Sequence, residues 1–440
     1  MSTFRKQHME IDWNNLIDSK SEAPAAQASL RDKAALVGRT GLLILSVGAG
    51  AYRVRSAMNK ISRALGIVCT ADISLLSIEY TCSSGGDSYT SAYSLSTTGV
   101  NTDRLNRLRA FADYAAEQAD KKSISELFAL LDDIEHTAAN YSAIRLALAA
   151  AVACACFTFL LGGGAIEMIF AFFGAGAGNF VRKKLLERHI TLCANVCLGV
   201  VAACLTYIAL ISVAEAVLHL PPVHHAGYIC AMLFVIPGFP LITGGIDLAK
   251  LDLRSGLERE LYALLIVFVA TATGWACARA FSFYPENFRA LNLSSPALIA
   301  LRLAASFAAV YGFSLMFNST QKMALTAALI GMVANVLRLE LLDFTSLPLI
   351  VCSFAGALCA GLLASLIKKR SGLPRLTVTV PSIVIMVPGM FMYKGIYFLA
   401  AEDISSGALW LLKAGMVVCS LSFGLIAARI LTDPNFRVNS

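Results

Sequence analysis

The 440-residue chain is 57% hydrophobic and only 15% charged, with a mean hydropathy of +0.67, which excludes an ordinary soluble domain and places most of the chain in lipid. Its net charge is +7, but lysine and arginine fall at the ends of apolar runs, as membrane orientation requires, so nucleic acid is not an expected partner. The twelve cysteines are mostly single and intramembrane, where they pack as small apolar residues, and their spacing suggests neither a metal site nor disulfides.

Residues 1–30 are polar, end in a stretch rich in Ala, Ser and Gln, and read as a disordered tail. Residues 1–40 contain no secretory signal, so the N-terminus is expected to stay in the cytoplasm. From Leu30 to about Leu65 the text predicts two helices meeting at a joint of small residues, Ser46, Gly48 and Gly50. A phosphate loop there is disfavoured, because no strand precedes the glycines and no Lys-Ser/Thr pair follows. Residues 70–84 and 87–99 read as a strand, a turn at Gly85 and Gly86, and a second strand. Asn101 or Thr102 can cap a helix to about Gln118, and Ser123 with Glu126 forms a capping box for a helix through His136. Residues 31–140 are thus expected to form a small cytoplasmic α+β domain.

After Tyr141 the pattern changes to ten apolar runs, near 143–161, 165–181, 190–214, 226–246, 260–281, 297–317, 322–342, 347–367, 376–399 and 407–430, each long enough to cross about 30 Å of hydrocarbon as a helix. With the N-terminus inside, the inner loops hold Arg182, Lys183, Lys184, Arg188, Lys250, Arg254, Arg259, Lys322, Lys368, Lys369, Arg370 and Arg375, and the outer loops hold Arg289 alone. The expectation is a polytopic α-helical protein of the cell inner membrane with about ten spans. Residues 141–281 form a first five-helix unit, 297–430 a second, and 431–440 a cytoplasmic tail.

Short motifs recur in order between the two units. Asn179 and Arg182 in the second span match Asn335 and Arg338 in the seventh, and Pro237-Gly238 in the fourth matches Pro388-Gly389 in the ninth. Gly274 and Arg279 in the fifth match Gly424 and Arg429 in the tenth. A repeated unit of five spans must enter the membrane from opposite sides, which makes an inverted 5+5 repeat suited to alternating access. Pro removes a backbone donor and Gly loosens the helix, so each Pro-Gly predicts a broken helix whose freed groups can bind substrate.

At these residues the chain resembles the threonine/serine exporter family, in a form with both halves fused. The likeness is carried by residues 48–55 (GAGAYRVR), Met58 and Leu65-Gly66, by Pro237 through Asp247 (PGFPLITGGID), and by Ser255 through Arg259 (SGLER). In the second half it is carried by Phe317-Asn318, Asn335, Arg338, Val380-Pro381, Val387 through Gly389 and Tyr393-Lys394. The chain departs from the usual pattern at Arg55, Ser56 and Gly244. The resemblance implies secondary export of threonine, serine or similar small molecules, with dicarboxylates such as succinate as the alternative. A membrane-anchored enzyme using the N-terminal domain is a weaker alternative, because residues 31–140 show no paired catalytic carboxylates and no nucleophile motif, and no enzyme is expected. Such export calls for no cofactor, with a proton gradient as the suspected driving force.

The expected substrate or translocation residues are Pro237, Gly238, Thr243, Asp247, Pro388, Gly389, Tyr393 and Lys394. Candidates for gating or coupling are Glu167, Asn179, Asp252, Arg254, Arg259, Asn335 and Arg338. The crowd from Asp247 to Arg259 reads either as a solvated, capped loop or as a cytoplasmic gate in which Asp247 and Asp252 face Arg254 or Arg259. Lys394, Arg302 and Arg338 can snorkel or meet a substrate carboxylate. Asn179 and Asn335 can simply bond between helices. His224 and His225, after Pro221-Pro222, are expected to face water on an outer loop. Gly174, Gly176 and Gly178 allow close helix contact within a subunit or between copies, so a homo-oligomer is compatible with the text.

Overall fold

The computed structural model describes residues 11–18, 21–284, 288, 291, 293–371 and 375–437. The chain divides into two compact units, one comprising residues 1–138 with 246–259 and the other residues 139–245 with 260–440. The first unit therefore reaches beyond the contiguous 31–140 domain read from the sequence.

That first unit is α+β. Helices α1 (Leu30–Ser46) and α2 (Ala51–Ala64) meet at the expected small-residue joint. Strands β1 (Val68–Ile73), β2 (Ser77–Ser84) and β3 (Asp87–Ser94) form an antiparallel meander in the order β1-β2-β3, followed by α3 (Thr102–Glu117) and α4 (Ile124–His136). Asn101 caps α3 by accepting the Arg104 amide, and Ser123 and Glu126 complete the capping box of α4. Helix α1 packs against β2 and β3 and is buried on nearly all faces from Ala34 to Leu45, so it forms the core with Ile78, Tyr80 and Cys82, the inward residues of β2.

Two expectations for this unit need correction. The stretch 70–84 is two strands, because Ser74 reverses the chain: its amide donates to the Ser77 carbonyl at 2.9 Å, and its hydroxyl accepts from the Leu76 and Ser77 amides at 3.2 and 2.9 Å. Ile73 consequently pairs with Ile78. The described residues before α1 are also packed and do not form a free tail. The Trp13 ring lies 4.8 Å from that of Tyr93, Ala25 is fully buried, and the Ala25 amide donates to the Lys122 carbonyl at 2.8 Å. One aromatic anchor and a backbone bond do here what apolar periodicity does elsewhere. Residues 1–10 of the expected tail lie outside the described residues.

The second unit is helical: α5 (Ala143–Leu160), α6 (Ala165–Glu187), α7 (Leu192–Leu218), α8 (Gly227–Met232), α9 (Gly238–Ala249), α10 (Leu253–Ala280), α11 (Ser295–Met316), α12 (Gln321–Phe344), α13 (Leu349–Ser371), α14 (Arg375–Ile383), α15 (Gly389–Ala400), α16 (Ile404–Thr432) and α17 (Pro434–Arg437). The last turn of α9 and the first two turns of α10 are counted with the first unit. Among the described residues seven helices are long and apolar enough to cross a membrane, or nine if the bent pairs α8/α9 and α14/α15 each make one span. The remaining expected span is α6, a 23-residue helix. It falls short in apolarity because Glu167, Arg182, Lys183, Lys184 and Glu187 occupy its two ends and glycines its middle.

Helix α5 packs against α6 and α11, α6 against α7 and α8, and α12 against α11, α13 and α14, while α16 packs against α13 and α15. Beyond Asp433 the expected tail begins as α17, where Phe436 is buried with its ring 4.1 Å from the Arg429 guanidinium. Arg289, the one cation assigned to outer loops, lies outside the described residues, as do the side chains of Lys369 and Arg370.

Candidate functional site

Both Pro-Gly dipeptides break a helix. Helix α8 passes through a three-residue 3-10 turn, Leu233–Val235, and α9 then leaves at a bend of 59°. Helix α14 passes through Val384–Met386, and α15 leaves at 48°. Proline cannot donate to the ladder and forces the residue before it out of the helical region, here Ile236 with ψ 123° and Val387 with ψ 131°. At each break the glycine amide turns back across the proline, Gly238 to the Ile236 carbonyl and Gly389 to the Val387 carbonyl, both at 2.9 Å.

The two breaks pack on each other reciprocally. A Cβ on Gly238 would lie 2.8 Å from Val384 and 3.1 Å from Val387, and a Cβ on Gly389 would lie 3.0 Å from Leu233 and 3.2 Å from Ile236. Leu233 and Ile236 stand before Gly238 as Val384 and Val387 stand before Gly389, so the contact is self-complementary, as at a two-fold axis. Only glycine allows the chains this close. A further bridge joins α8 to α15: the hydroxyls of Tyr228 and Tyr393, both fully buried, share a hydrogen bond of 2.6 Å. Tyr393 was expected at the site. Tyr228 was not, since an aromatic residue within an apolar run carries no signal of its own.

A cavity of about 60 Å³ adjoins the second break and is lined by Asn335, Arg338, Val387, Pro388 and Gly389, with Phe157 and Leu161 among its apolar walls. The structure thus joins two gating candidates to the Pro-Gly of the substrate set. Asn335 is buried and donates to the Ser306 hydroxyl at 2.9 Å, while its Oδ1 lies 3.4 Å from Arg338 Nη1.

The other candidates lie elsewhere. Thr243 donates back to the Phe239 and Pro240 carbonyls of its own helix at 3.0 and 3.2 Å, so its hydroxyl does not project to a ligand. Lys394 stacks its ammonium 5.1 Å from the Trp410 ring and does not line the cavity. Asn179 donates to the Leu146 carbonyl at 2.8 Å, the interhelical role expected of a buried Asn. Arg302 pairs with Glu340 at 2.8 Å and Asp343 at 2.6 Å. Glu167 is 5% exposed; one oxygen accepts the Gly164 amide at 2.9 Å and the other lies 2.7 Å from His224 Nδ1. His224 therefore does not simply face water, and neither does His225, which stacks 4.0 Å from Phe283 and lies 3.0 Å from Glu215. The partners are too far apart in the chain for spacing to reveal them.

Within the first unit the crowd from Asp247 to Arg259 is divided: Leu251, Leu253, Arg254 and Leu257 are exposed, while Asp247 and Arg259 are buried. Asp247 Oδ2 accepts from the Ala51 amide at 3.0 Å, the Ser255 hydroxyl at 3.0 Å and Arg259 Nε at 3.3 Å. Arg259 also donates to the Ala49 carbonyl at 2.6 Å, and Asp247 and Arg259 are 1% and 2% exposed. Asp252 pairs with Arg55 at 2.7 Å, Arg254 with Asp72 at 2.5 Å, and Glu258 accepts the Leu75 amide at 2.7 Å. Residues 246–259 are thus clamped to the α1–α2 joint and to the sheet. The expectation that Asp247 and Asp252 face Arg254 or Arg259 holds for the pair Asp247–Arg259 alone. Asp247, expected in the substrate set, is a member of this clamp, whose partners at Ala49 and Ala51 are backbone groups that no residue type announces.

Two bent helices crossing at Pro-Gly breaks beside a charged cavity, in a protein of many apolar helices, define a polytopic membrane transporter. The chain belongs to the threonine/serine exporter family. Residues 35–282 match the family described as "Putative threonine/serine exporter", and residues 302–431 match "Threonine/Serine exporter, ThrE". It is similar to the "Probable succinate transporter subunit YjjP" of Escherichia coli (strain K12), 27% identical over 239 residues, which is 53% of this chain and 88% of the relative. The protein of the same name from Klebsiella aerogenes is 26% identical over 238 residues, 53% of this chain and 87% of that relative. No solved structure matches the chain.

Proposed function

We propose that the chain is a secondary active exporter of small amino acids, threonine or serine, working by alternating access across the inner membrane with both termini cytoplasmic. The observation that carries this reading is the reciprocal packing of the two Pro-Gly breaks, which puts two interrupted helices at one crossing. Substrate binds beside that crossing. Family membership supports export, and the ends of α6 and α13, where Lys and Arg cluster, suit the cytoplasmic side.

The same reading builds the membrane part as an inverted 5+5 repeat. In its support, α9 and α15 are each 12 residues long, and each follows a three-residue 3-10 turn. Leu251 after α9 and Glu402 after α15 both take a left-handed φ of 64°, and Gly162 and Asn318 take left-handed φ values between α5 and α6 and between α11 and α12. An odd number of spans in each half reverses the second copy. For the driving force we propose protons, with the buried Glu167–His224 pair as acceptor, because a carboxylate and an imidazole in contact can hold one proton between them.

A second reading, export of a dicarboxylate such as succinate, is favoured by the names of the two relatives. One experiment separates the readings. Proteoliposomes loaded with labelled threonine, serine or succinate are given a proton gradient, and the substrate that leaves identifies the cargo. Absence of gradient-dependent flux for all three sinks the exporter reading.

A further inference from the structure

Arg338 is a cation of the membrane part that meets no anion among the described residues. Among the described residues no carboxylate lies within ion-pair reach of it; its Nη1 meets only Asn335 at 3.4 Å, and its buried Nε has no hydrogen-bond partner. The acidic residues of the same helix, Glu340 and Asp343, are both taken by Arg302. Its stem is pressed between helices, since a Cβ on Gly356 of α13 would lie 3.1 Å from Arg338 Cβ. Arg182, at the like position on α6, instead donates from Nε to Asn195 at 3.1 Å, and Asn195 returns a bond to its carbonyl at 2.8 Å. A cation half-buried among apolar helices persists where an anion or a cavity meets it, and Arg338 lines such a cavity.

We propose that Arg338 and the cavity at the second Pro-Gly break bind one carboxylate group of the transported molecule. This inference rests on the exporter reading. The guanidinium offers planar paired donors that fit a carboxylate, and Asn335 adds a polar neighbour on the same wall. Size restricts what enters. A cavity of about 60 Å³ is well under the ~150 Å³ that accepts a six-carbon ring. It takes a carboxylate with one or two attached carbons, and the rest of the molecule must lie in the open mouth. Phe157, Leu161 and Val387 line it with apolar surface suited to those carbons. Amino acids and dicarboxylates share this end, so Arg338 recognises what the two substrate readings have in common and the remainder of the site discriminates between them.

The test uses the full chain in detergent, titrated calorimetrically with threonine, succinate, acetate and threoninol, the last lacking the carboxylate. Expected is binding of at least one carboxylate, none of threoninol, and a Kd raised by about tenfold or more in Arg338→Gln, as removal of a charged hydrogen-bond partner implies. Arg338→Lys should recover part of the loss. Leu161→Trp keeps the arginine and fills the cavity, so it should also weaken binding, and it stands in should Arg338→Gln fail to fold. Carboxylate binding unchanged in both Arg338→Gln and Leu161→Trp overturns the inference while leaving the exporter reading intact, and so does equal binding of threoninol. Arg338-dependent binding without flux in proteoliposomes upholds the site and sinks the exporter reading.

Discussion

Replacing Arg259 by Met should loosen the α1–α2 joint without unfolding the chain. Asp247 and Arg259 are 1% and 2% exposed, so removing the guanidinium leaves a buried carboxylate held only by the Ala51 amide and the Ser255 hydroxyl, and leaves the Ala49 carbonyl without its donor. Breaking one side of a buried pair costs about 3–5 kcal/mol, which corresponds to roughly two to four orders of magnitude in a local opening equilibrium. Hydrogen exchange of the full chain, read by mass spectrometry over residues 47–55, measures that opening directly. Asp247→Asn together with Arg259→Met should exchange more slowly than Arg259→Met alone, because the uncompensated charge is gone. Gly50→Ala should act in the same direction, since its Cβ would fall 2.4 Å from Asp247 Oδ1. If Arg259→Met leaves exchange over 47–55 unchanged, the clamp does not hold the joint and the energetic reasoning fails.

Three further outcomes are expected. The double variant Pro237→Ala/Pro388→Ala restores two backbone donors and lets both helices straighten, so export should stop while the protein still inserts; wild-type flux would remove the broken helices from the mechanism. Tyr393→Phe strands the Tyr228 hydroxyl in a buried setting at a cost of about 1–3 kcal/mol, whereas Tyr228→Phe/Tyr393→Phe should cost less than the sum of the singles. Additive melting shifts in that cycle would show that the 2.6 Å contact contributes nothing. Glu167→Gln keeps an acceptor for the Gly164 amide but cannot take up a proton, so stimulation of flux by a proton gradient should vanish while substrate exchange persists. Undiminished stimulation would move proton coupling away from Glu167.

The breaks, the caps and most helix boundaries were legible because each depends on residues within a few positions of one another. Proline announces its own missing donor, and Ser123 announces the capping box through Glu126 three residues on. The turn at Ser74 was hidden because a serine hydroxyl among apolar residues is a weak turn signal. The clamp was half legible: its charges stood out, but the groups they bind are the backbone of Ala49 and Ala51, some two hundred positions away. Glu167 was noticed and its partner His224 was not, since the pairing depends on how α6 meets the start of α8. Lys394 drew attention as a cation beyond a break, yet the adjacent ring of Trp410 takes it, and the cavity belongs to Arg338 on another helix.

In the repeat proposed above, the elements matched between the two halves share backbone geometry and differ in chemistry. Arg182 has Asn195 and Arg338 has a cavity, although both sit at the same place on their helices. The left-handed turns at Leu251 and Glu402 are alike, yet the first is flanked by charges fixed to residues 49–75, and after the second Asp403 merely caps α16 through the Ser406 amide. Were the polar groups there only to fasten helices, each half would need them equally. Instead Arg338 lines a cavity beside the second break, and residues 246–259 after the first break belong to the N-terminal unit. If substrate is recognised at the second break, substitutions in the clamp should leave the Kd of the carboxylate unchanged and alter only the rate of transport.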